Sequence, residues 1–398
     1  MKKLCSIRYL TLWCFVLLLA VFFLLSLRPF ASAARAAVGT ARGEEAIAAL
    51  ESGFNEALPK KTFFVTLNGG FRRLLGERAV NERYRLDNGQ LTYVIPETEV
   101  EGIAANTVAF AQTLRAEGIP FYYVNAPFKT DEADKQLPVG VEDCANENAD
   151  RFLALLHENG VDVLDLRERE KAEGLDHYSL FYPTDHHWTA ETGFWAFQEI
   201  AAYLTEKDSG FAVDGRILDL SEYDRTVYPD CFLGSHGRRV GPWYAGMDDL
   251  TVITPRFETR PYVFIDDLNL LREGTFSEAF LFPEELEESP FEHSRYDVYL
   301  GGEYGLMRVY NNSRAEELPV QSTPKRLMVF KDSFSLVVAP FLSLGYDEVE
   351  WLDLRLLDID VMDYIRDFAP DAVLVLYNPG ALEDNNREMF DFLSTEKT

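Results

Sequence analysis

Two short stretches of this chain bring together residue types that do chemistry. Asp185, His186 and His187 lie in Phe181-Tyr182-Pro183-Thr184-Asp185-His186-His187-Trp188-Thr189, so two of only six histidines stand beside a carboxylate. Far downstream, Val329-Phe330-Lys331-Asp332-Ser333-Phe334-Ser335 sets Ser333 where an apolar run gives way to a helical one. A serine hydroxyl is a weak nucleophile near neutral pH. It needs an imidazole base, which in turn needs a carboxylate to fix its tautomer and favour its cationic form. Asp185 and His187 are of the types those two tasks require. A turn into a helix adds unpaired backbone N–H groups and the positive end of a dipole, which suit an oxyanion formed when a hydroxyl attacks a carbonyl. Each feature also has a plainer reading. Ser333 or Asp332 would serve as an ordinary helix cap, and Trp188 would be core beside a structural polar cluster. Asp185-His186-His187 contains common metal ligands, but adjacent histidines diverge on a strand or helix and no third ligand stands nearby, so no metal is expected. His157, His177, His236 and His293 lie among charged or loop residues and are read as solvated or turn residues.

For Ser333 to reach His187 the ends of several elements must meet, and the spacing of apolar residues indicates which elements those are. It predicts a helix from Ile103 to Arg115, stopped by Gly118-Ile119-Pro120, and a strand from Phe121 to Asn125. A helix from Arg151 to His157, a stop at Gly160 and a strand from Val161 to Leu166 repeat the grammar, and a helix from Ala190 to Leu204 follows the histidines. It returns late in the chain: strand Arg326 to Phe330, helix Phe334 to Leu344, strand Val349 to Leu354, helix Val361 to Phe368, and a nearly all-apolar strand from Ala372 to Tyr377. Strands alternating with helices predict an α/β fold, a parallel sheet flanked by helices, with chemistry in the crevice outside the carboxyl ends of the strands. Residues about 210–325 break this rhythm with Gly, Pro, Tyr and short alternating runs, and are expected to form a β-rich insertion.

The charge balance argues against a nucleic-acid partner, since 38 Lys and Arg stand against 66 Asp and Glu for a net charge of -28. Lys2, Lys3 and Arg8 precede an apolar run from Leu10 to Leu27 that approaches the ~20 residues of a bilayer span, while Ala31-Ser32-Ala33 resembles a signal cleavage site. Residues 1–30 are therefore expected to be a signal anchor or signal peptide. Residues 31–84 are expected to be a helical stalk with Ala46, Ile47, Leu50, Phe54 and Leu58 on one face, and 85–398 the working domain. The positive-inside rule puts that domain outside the cytoplasm, held at the cell membrane by a single pass, or secreted after cleavage. Beyond the targeting segment only Cys144 and Cys231 remain, a candidate disulfide in an oxidising compartment, and no cysteine has zinc-type spacing.

Thr184-Asp185-His186-His187-Trp188-Thr189, taken with Lys331-Asp332-Ser333-Phe334, resembles the DHHW proteins, relatives of the alginate O-acetylation proteins in the SGNH hydrolase-like superfamily. The resemblance takes in Phe232-Leu233-Gly234-Ser235, Leu352-Asp353-Leu354-Arg355 and Leu376-Tyr377-Asn378-Pro379-Gly380, and so covers about residues 85–398. It implies an SGNH hydrolase-like fold with Ser333 as acyl-accepting nucleophile, His187 as general base and Asp185 as the orienting carboxylate. His187 is preferred to His186 because the matching pattern reads Asp, one residue, His, Trp. As in such relatives, the Asp-x-His pair precedes the serine, the reverse of the usual SGNH order. This chain departs from the SGNH pattern in having Lys331 where Gly usually precedes Asp-Ser.

The implied activity is extracytoplasmic O-acetyl transfer to a cell-envelope or secreted polysaccharide through an acetyl-serine intermediate. It would need no metal or organic cofactor, and the acetyl donor would be supplied by a membrane acyltransferase. A carbohydrate acetylesterase and a non-catalytic glycan-binding envelope protein are the alternatives. Gly234 and Ser235 are candidates to offer a backbone N–H to the oxyanion, and Asn378 a side-chain N–H. Arg355 is a candidate substrate contact, Arg238 and Arg239 would meet an acidic glycan, and Tyr182, Trp188 and Trp243 would stack on sugar faces. Ordinary turn or core roles are the plainer reading for each. About twenty residues follow the last expected strand, so grip on a polymer is expected from the insertion.

Overall fold

A strand apolar at every position must be covered on both faces, and Ala372–Tyr377 is buried along its whole length at the middle of the main sheet. The computed structural model describes residues 61–312 and 325–393 and parts of the segment 9–35. Residues 1–71 and Arg72–Thr398 form separate units, and the second holds the main sheet and every candidate site residue. The expected amphipathic stalk helix at 46–58 lies outside the described residues, and so does part of the expected anchor. Among the described residues no helix is long and apolar enough to cross a membrane. A helix covers Lys61–Leu74.

In chain order the strands are β1 (Ala79–Val80), β2 (Arg83–Arg85), β3 (Leu91–Thr92), β4 (Phe121–Asn125), β5 (Asp162–Asp165), β6 (Tyr223–Phe232) and β7 (Asp248–Pro255). They continue as β8 (Pro261–Ile265), β9 (Leu270–Glu273), β10 (Leu306–Asn311), β11 (Arg326–Lys331), β12 (Glu348–Leu352) and β13 (Ala372–Tyr377). The main sheet has the order β5-β4-β13-β11-β12-β10-β8-β9. From β5 to β12 neighbouring strands run parallel, as alternation with helices requires. Beyond β12 the sheet turns antiparallel through β10, β8 and β9. The sheet is therefore mixed where a parallel one was expected. Only β8 and β9 are joined by a short connection, which permits antiparallel but not parallel pairing, and β10 returns after a longer excursion to lie antiparallel between β8 and β12. Ahead of them, β6 and β7 form a two-stranded antiparallel sheet of their own among the described residues.

Side-chain alternation splits the core into two layers. Tyr122, Val124, Val329 and Leu374 point to the face covered by helix Ala190–Lys207. Phe121, Tyr123, Phe330, Val373 and Val375 point to the face covered by helices Glu101–Ala116 and Ala145–Glu158. Burial of each such side chain is worth about 1.5–3 kcal/mol. Helix Ala190–Lys207 is capped by Thr189, whose hydroxyl accepts from the N–H of Thr192, and it buries Phe194, Phe197, Ile200 and Leu204 at helical spacing. It packs closely on the turn after β11: a Cβ placed on Gly193 would stand 2.3 Å from Cγ2 of Val337.

That turn is where the helix expected from Phe334 to Leu344 breaks in two. Residues Ser333–Val337 form a 3-10 turn and the α-helix begins only at Ala339. Pro340 explains the break. It has no N–H to continue a helix from the preceding turn, and its ring would meet the carbonyl four residues back, so it is accommodated in the first turn of a new helix.

Candidate active site

The Asp-His-His stretch is a tight loop at the sheet edge of helix Ala190–Lys207. An antiparallel bridge joins Phe181 to Trp188, the Tyr182 N–H donates to the His187 carbonyl at 3.1 Å, and the Asp185 N–H to the Tyr182 carbonyl at 3.2 Å. The indole of the fully buried Trp188 donates through Nε1 to the Phe334 carbonyl at 2.9 Å. One hydrogen bond thus ties the histidine loop to the serine turn, across 146 residues of sequence.

The serine turn is held from the other side. Asp332, the last residue before the 3-10 turn, accepts from the Phe334 N–H through Oδ1 at 2.9 Å. Its Oδ2 accepts from both the backbone N–H and Nδ2 of Asn378, each at 2.7 Å. Asn378 follows β13 directly, so the carboxylate locks the ends of two adjacent parallel strands together. Burial pushes the Asp332 carboxyl above its ordinary range, against the hydrogen bonds from Asn378 and the charge of Arg355. Lys331, in place of a glycine, is buried, and its ammonium lies 3.3 Å from Asp353 Oδ2, linking β11 to the end of β12.

Between these two supports Ser333, His187 and Asp185 meet. Ser333 Oγ is 2.7 Å from His187 Nε2, and His187 Nδ1 is 3.2 Å from Asp185 Oδ1. Asp185 is buried, and its Oδ1 also faces the N–H groups of His186 and His187, the Ser235 hydroxyl and His186 Nδ1. Its Oδ2 accepts from the Ser235 N–H at 3.0 Å. Burial alone would raise this carboxyl. The charges and hydrogen bonds of His187 and His186 outweigh that effect and hold it well below the usual carboxylate range. An ionised Asp185 can only accept, so Nδ1 of His187 carries the proton and the Nε2 lone pair faces the Ser333 hydroxyl. The imidazole is packed flat on Tyr296, with ring centres 4.4 Å apart and planes 12° off parallel. Ser333 itself is only half-buried.

Ligand atoms of Asp185, His186 and His187 lie within 4.8 Å of one another, close enough for a metal ion. The same atoms are joined by hydrogen bonds to each other, to Ser235 and to Ser333.

The remaining sequence candidates fall into different places. Gly234 and Ser235 stand against Asp185, but the Gly234 N–H donates to Thr184 Oγ1 and the Ser235 N–H to Asp185, so these amides brace the carboxylate instead of facing an oxyanion. A Cβ on Gly234 would lie 2.4 Å from Cβ of Asp185 and 2.6 Å from the Thr184 carbonyl. Asn378 commits one N–H of its amide to Asp332. Arg355, a candidate substrate contact, is anchored to Asp353 by two side-chain hydrogen bonds and to Glu303 by a third at 2.7 Å. Tyr182 and Trp188 are buried in the core, the plainer of their two readings, and are not open to stack on sugar, whereas Trp243 is exposed. Arg238 is half-buried and Arg239 exposed on the helix Ser235–Val240. Cys144 and Cys231 are free thiols, so the candidate disulfide is not formed between them.

Of the histidines read as solvated or turn residues, His157 and His293 are exposed. His236 is buried beside His186, where burial first, and then His186, pull it well below its ordinary value. His177 is half-buried on Glu170, which raises it against the effect of burial. The sequence reading missed Tyr296, Asp248 and Lys129. Asp248 Oδ2 accepts from both the N–H and hydroxyl of Thr184, and Lys129 lies under the histidine loop. Lys129 follows β4 by four residues, at the carboxyl edge where the crevice rule points, and that position was the available signal.

Residues 92–217 match the family model described as "SGNH hydrolase-like domain, acetyltransferase AlgX". No curated protein matches the chain. Among solved structures it is similar to PatB1 of Bacillus cereus, with 22% identity, a TM-score of 0.63, and 78% of this chain and 99% of that one covered. PatB1 is also known with a sulfonyl adduct. A DHHW family protein from Eubacterium siraeum is similar at 16% identity and a TM-score of 0.60, over 80% of this chain and 97% of the other. The fold is thus an α/β domain with a mixed sheet flanked by helices, in which residues 92–217 match an SGNH hydrolase-like family model.

Proposed function

We propose that this domain is a serine-dependent O-acetyltransferase acting on a polysaccharide outside the cytoplasm. The observation that carries the proposal is the continuous chain Asp185–His187–Ser333, at 3.2 and 2.7 Å, ending on a half-exposed hydroxyl. The AlgX description of the matching family model supports acetyl transfer, and the basic-then-apolar run at residues 2–27 supports export.

His187 Nε2 takes the Ser333 proton as Oγ attacks the acetyl carbonyl of the donor. The tetrahedral intermediate collapses with loss of the donor's leaving group, the oxygen of an ester or the sulfur of a thioester, which receives that proton, and leaves acetyl-Ser333. A sugar hydroxyl then gives its proton to Nε2, attacks the acetyl group and releases Ser333. Asp185 stays ionised throughout and stabilises the imidazolium in both halves. The amides of Phe334, Gly234 and Ser235 are already donated elsewhere, so the oxyanion falls to the second N–H of Asn378 Nδ2 and the N–H of Ser333 at the start of the turn. No step calls on a metal or organic cofactor. The donor is an acetyl ester or thioester delivered across the membrane, a task for a membrane acyltransferase partner.

A fluorophosphonate or sulfonyl fluoride should label the folded chain at Ser333, and Ser333→Ala should abolish labelling. With an activated acetyl ester, a glycan oligomer should accelerate ester cleavage and itself become acetylated. Cleavage indifferent to sugar would make the domain an acetylesterase, and a well-folded chain that takes no label would leave a glycan-binding protein. A chelator should change neither rate.

A further inference from the structure

A buried ammonium lies directly behind the histidine loop, and the mechanism above does not use it. Lys129 is buried, and its Nζ donates to three carbonyl oxygens of that loop: Tyr182 at 2.6 Å, Pro183 at 3.1 Å and Asp185 at 2.5 Å. Three acceptors require three N–H groups, which only the charged form has. Burial pulls the Lys129 ammonium down to about 7, against Asp248 and Asp185, which favour its charge. The three converging carbonyls add negative ends that a neutral amine could not satisfy. Nothing of Lys129 reaches Ser333 or open solvent, so it makes no contact with substrate.

From the resemblance of the serine and histidine motifs, Lys129 would pass as an ordinary residue after a strand. We propose that Lys129 is the positioning residue of the acyl-transfer site, its ammonium setting the peptide planes of residues 182–186 so that Asp185 and His187 stand where Ser333 can use them. The Asp185 carbonyl it holds belongs to the peptide that presents the His186 N–H to Asp185 Oδ1 at 2.6 Å. The Tyr182 carbonyl it holds also accepts the Asp185 N–H, and the Tyr182 N–H grips the His187 carbonyl. Moving these planes moves the carboxylate and imidazole together. The lysine is itself fixed: His177 Nε2 donates to its carbonyl at 3.2 Å, and the preceding Phe128 is buried with Ile95 and Ala145. Asp248 holds Thr184 of the same loop by its N–H at 2.8 Å and its hydroxyl at 2.7 Å, so loop residues 182–185 are held by both a cation and an anion. Burial raises the Asp248 carboxyl to about 6, which marks how little water either group retains.

The inference rests on the proposed Ser333 chemistry, and one set of measurements on the full chain separates the two. Lys129→Met keeps the volume of the stem and removes the charge and the donors. The double variant Lys129→Met with Asp248→Asn also removes the partner charge, which would otherwise remain buried and uncompensated. Turnover of an activated acetyl ester is measured for each chain, with active sites counted by fluorophosphonate labelling and unfolding followed by heat. We expect kcat per labelled site to fall about 100-fold in both variants with KM changed less than about twofold, as displacement of a catalytic pair by about 1 Å would cause. We expect the double variant to regain thermal stability without regaining kcat. A variant that folds and turns over at the wild-type kcat per site overturns the inference while leaving the Ser333 mechanism standing. Recovery of kcat together with stability in the double variant also overturns it, since Lys129 would then only balance charge. If neither variant folds, the lysine is a folding residue and the inference fails. If the wild-type chain takes no label, the Ser333 reading fails and the inference with it.

Discussion

Asp185 is a carboxylate that the fold has every electrostatic reason to keep ionised, and its pH behaviour follows from that. Its folded carboxyl lies well below the ordinary range. It therefore contributes stability that is present at pH values above the unfolded value, about 3.9, and is lost as pH falls through the folded value. Asp332 runs the other way. Its folded carboxyl is raised, so its contribution is fully present below the unfolded value and is lost as pH rises through the folded one. Asp185→Asn should accordingly be less stable than the wild type at pH 7, and the gap should close below about pH 4 in a pH series of urea midpoints. Ester turnover by the same variant should drop roughly 10³- to 10⁴-fold, because an amide does not hold the imidazole in the required tautomer. The types and order of Asp185, His187 and Ser333 were legible from sequence. The tasks of Gly234, Ser235 and Asn378 were not, because each depends on where an N–H already points, and spacing does not encode that. His236 was misread as a solvated or turn residue for a related reason: its neighbours in sequence are polar, whereas its neighbours in space are Tyr93 and His186.

Two glycines fix how closely the elements approach at the site, and they differ in what lies opposite. A Cβ on Gly193 would meet the methyl of Val337 at 2.3 Å, with the Val337 carbonyl at 3.2 Å. A Cβ on Gly234 would meet the Thr184 carbonyl at 2.6 Å and the Asp185 Cα at 2.7 Å, so the backbone itself must move. Gly193→Ala should cost about 1–3 kcal/mol, the usual range for overpacking, with acylation of Ser333 little changed once folded. Gly234→Ala should cost at least as much and slow acylation as well, because it displaces the residue that carries the carboxylate. Thermal unfolding and the labelling rate, measured on the same samples, check both; equal labelling by the two variants would contradict the difference argued here. Strand and helix alternation told the order of the elements, and Val361–Phe368 and Ala372–Tyr377 fall where the apolar pattern set them. It did not tell that β10 lies against β12, since pairing across 37 residues, from Asn311 to Glu348, is decided by which edge remains open.

For the whole molecule the dominant fact is its charge of -28, and the proposed function requires an acetyl acceptor to approach such a body. The cations nearest the serine turn do not offset it, because Lys331 and Arg355 are both paired to Asp353 and Arg355 also to Glu303. Arg238 and Arg239 are half-buried and exposed on the helix that carries Ser235, and under the proposed function they would be the groups to meet an anionic acceptor. At 0.01 M salt the field of the molecule reaches about 30 Å, so a polyuronate feels the full negative body before it feels two arginines, whereas at 0.15 M the reach is about 8 Å and local contacts decide. Acetylation of a uronate oligomer should therefore rise between 0.01 and 0.15 M salt, by an amount set mainly by KM, while a neutral oligomer of the same length should respond weakly. Arg238→Ala with Arg239→Ala should lower the rate with the uronate further at the higher salt and leave the neutral acceptor unaffected. A uronate rate that falls steadily with added salt would mean that attraction dominates the encounter, and that a basic surface other than these two arginines receives the polymer.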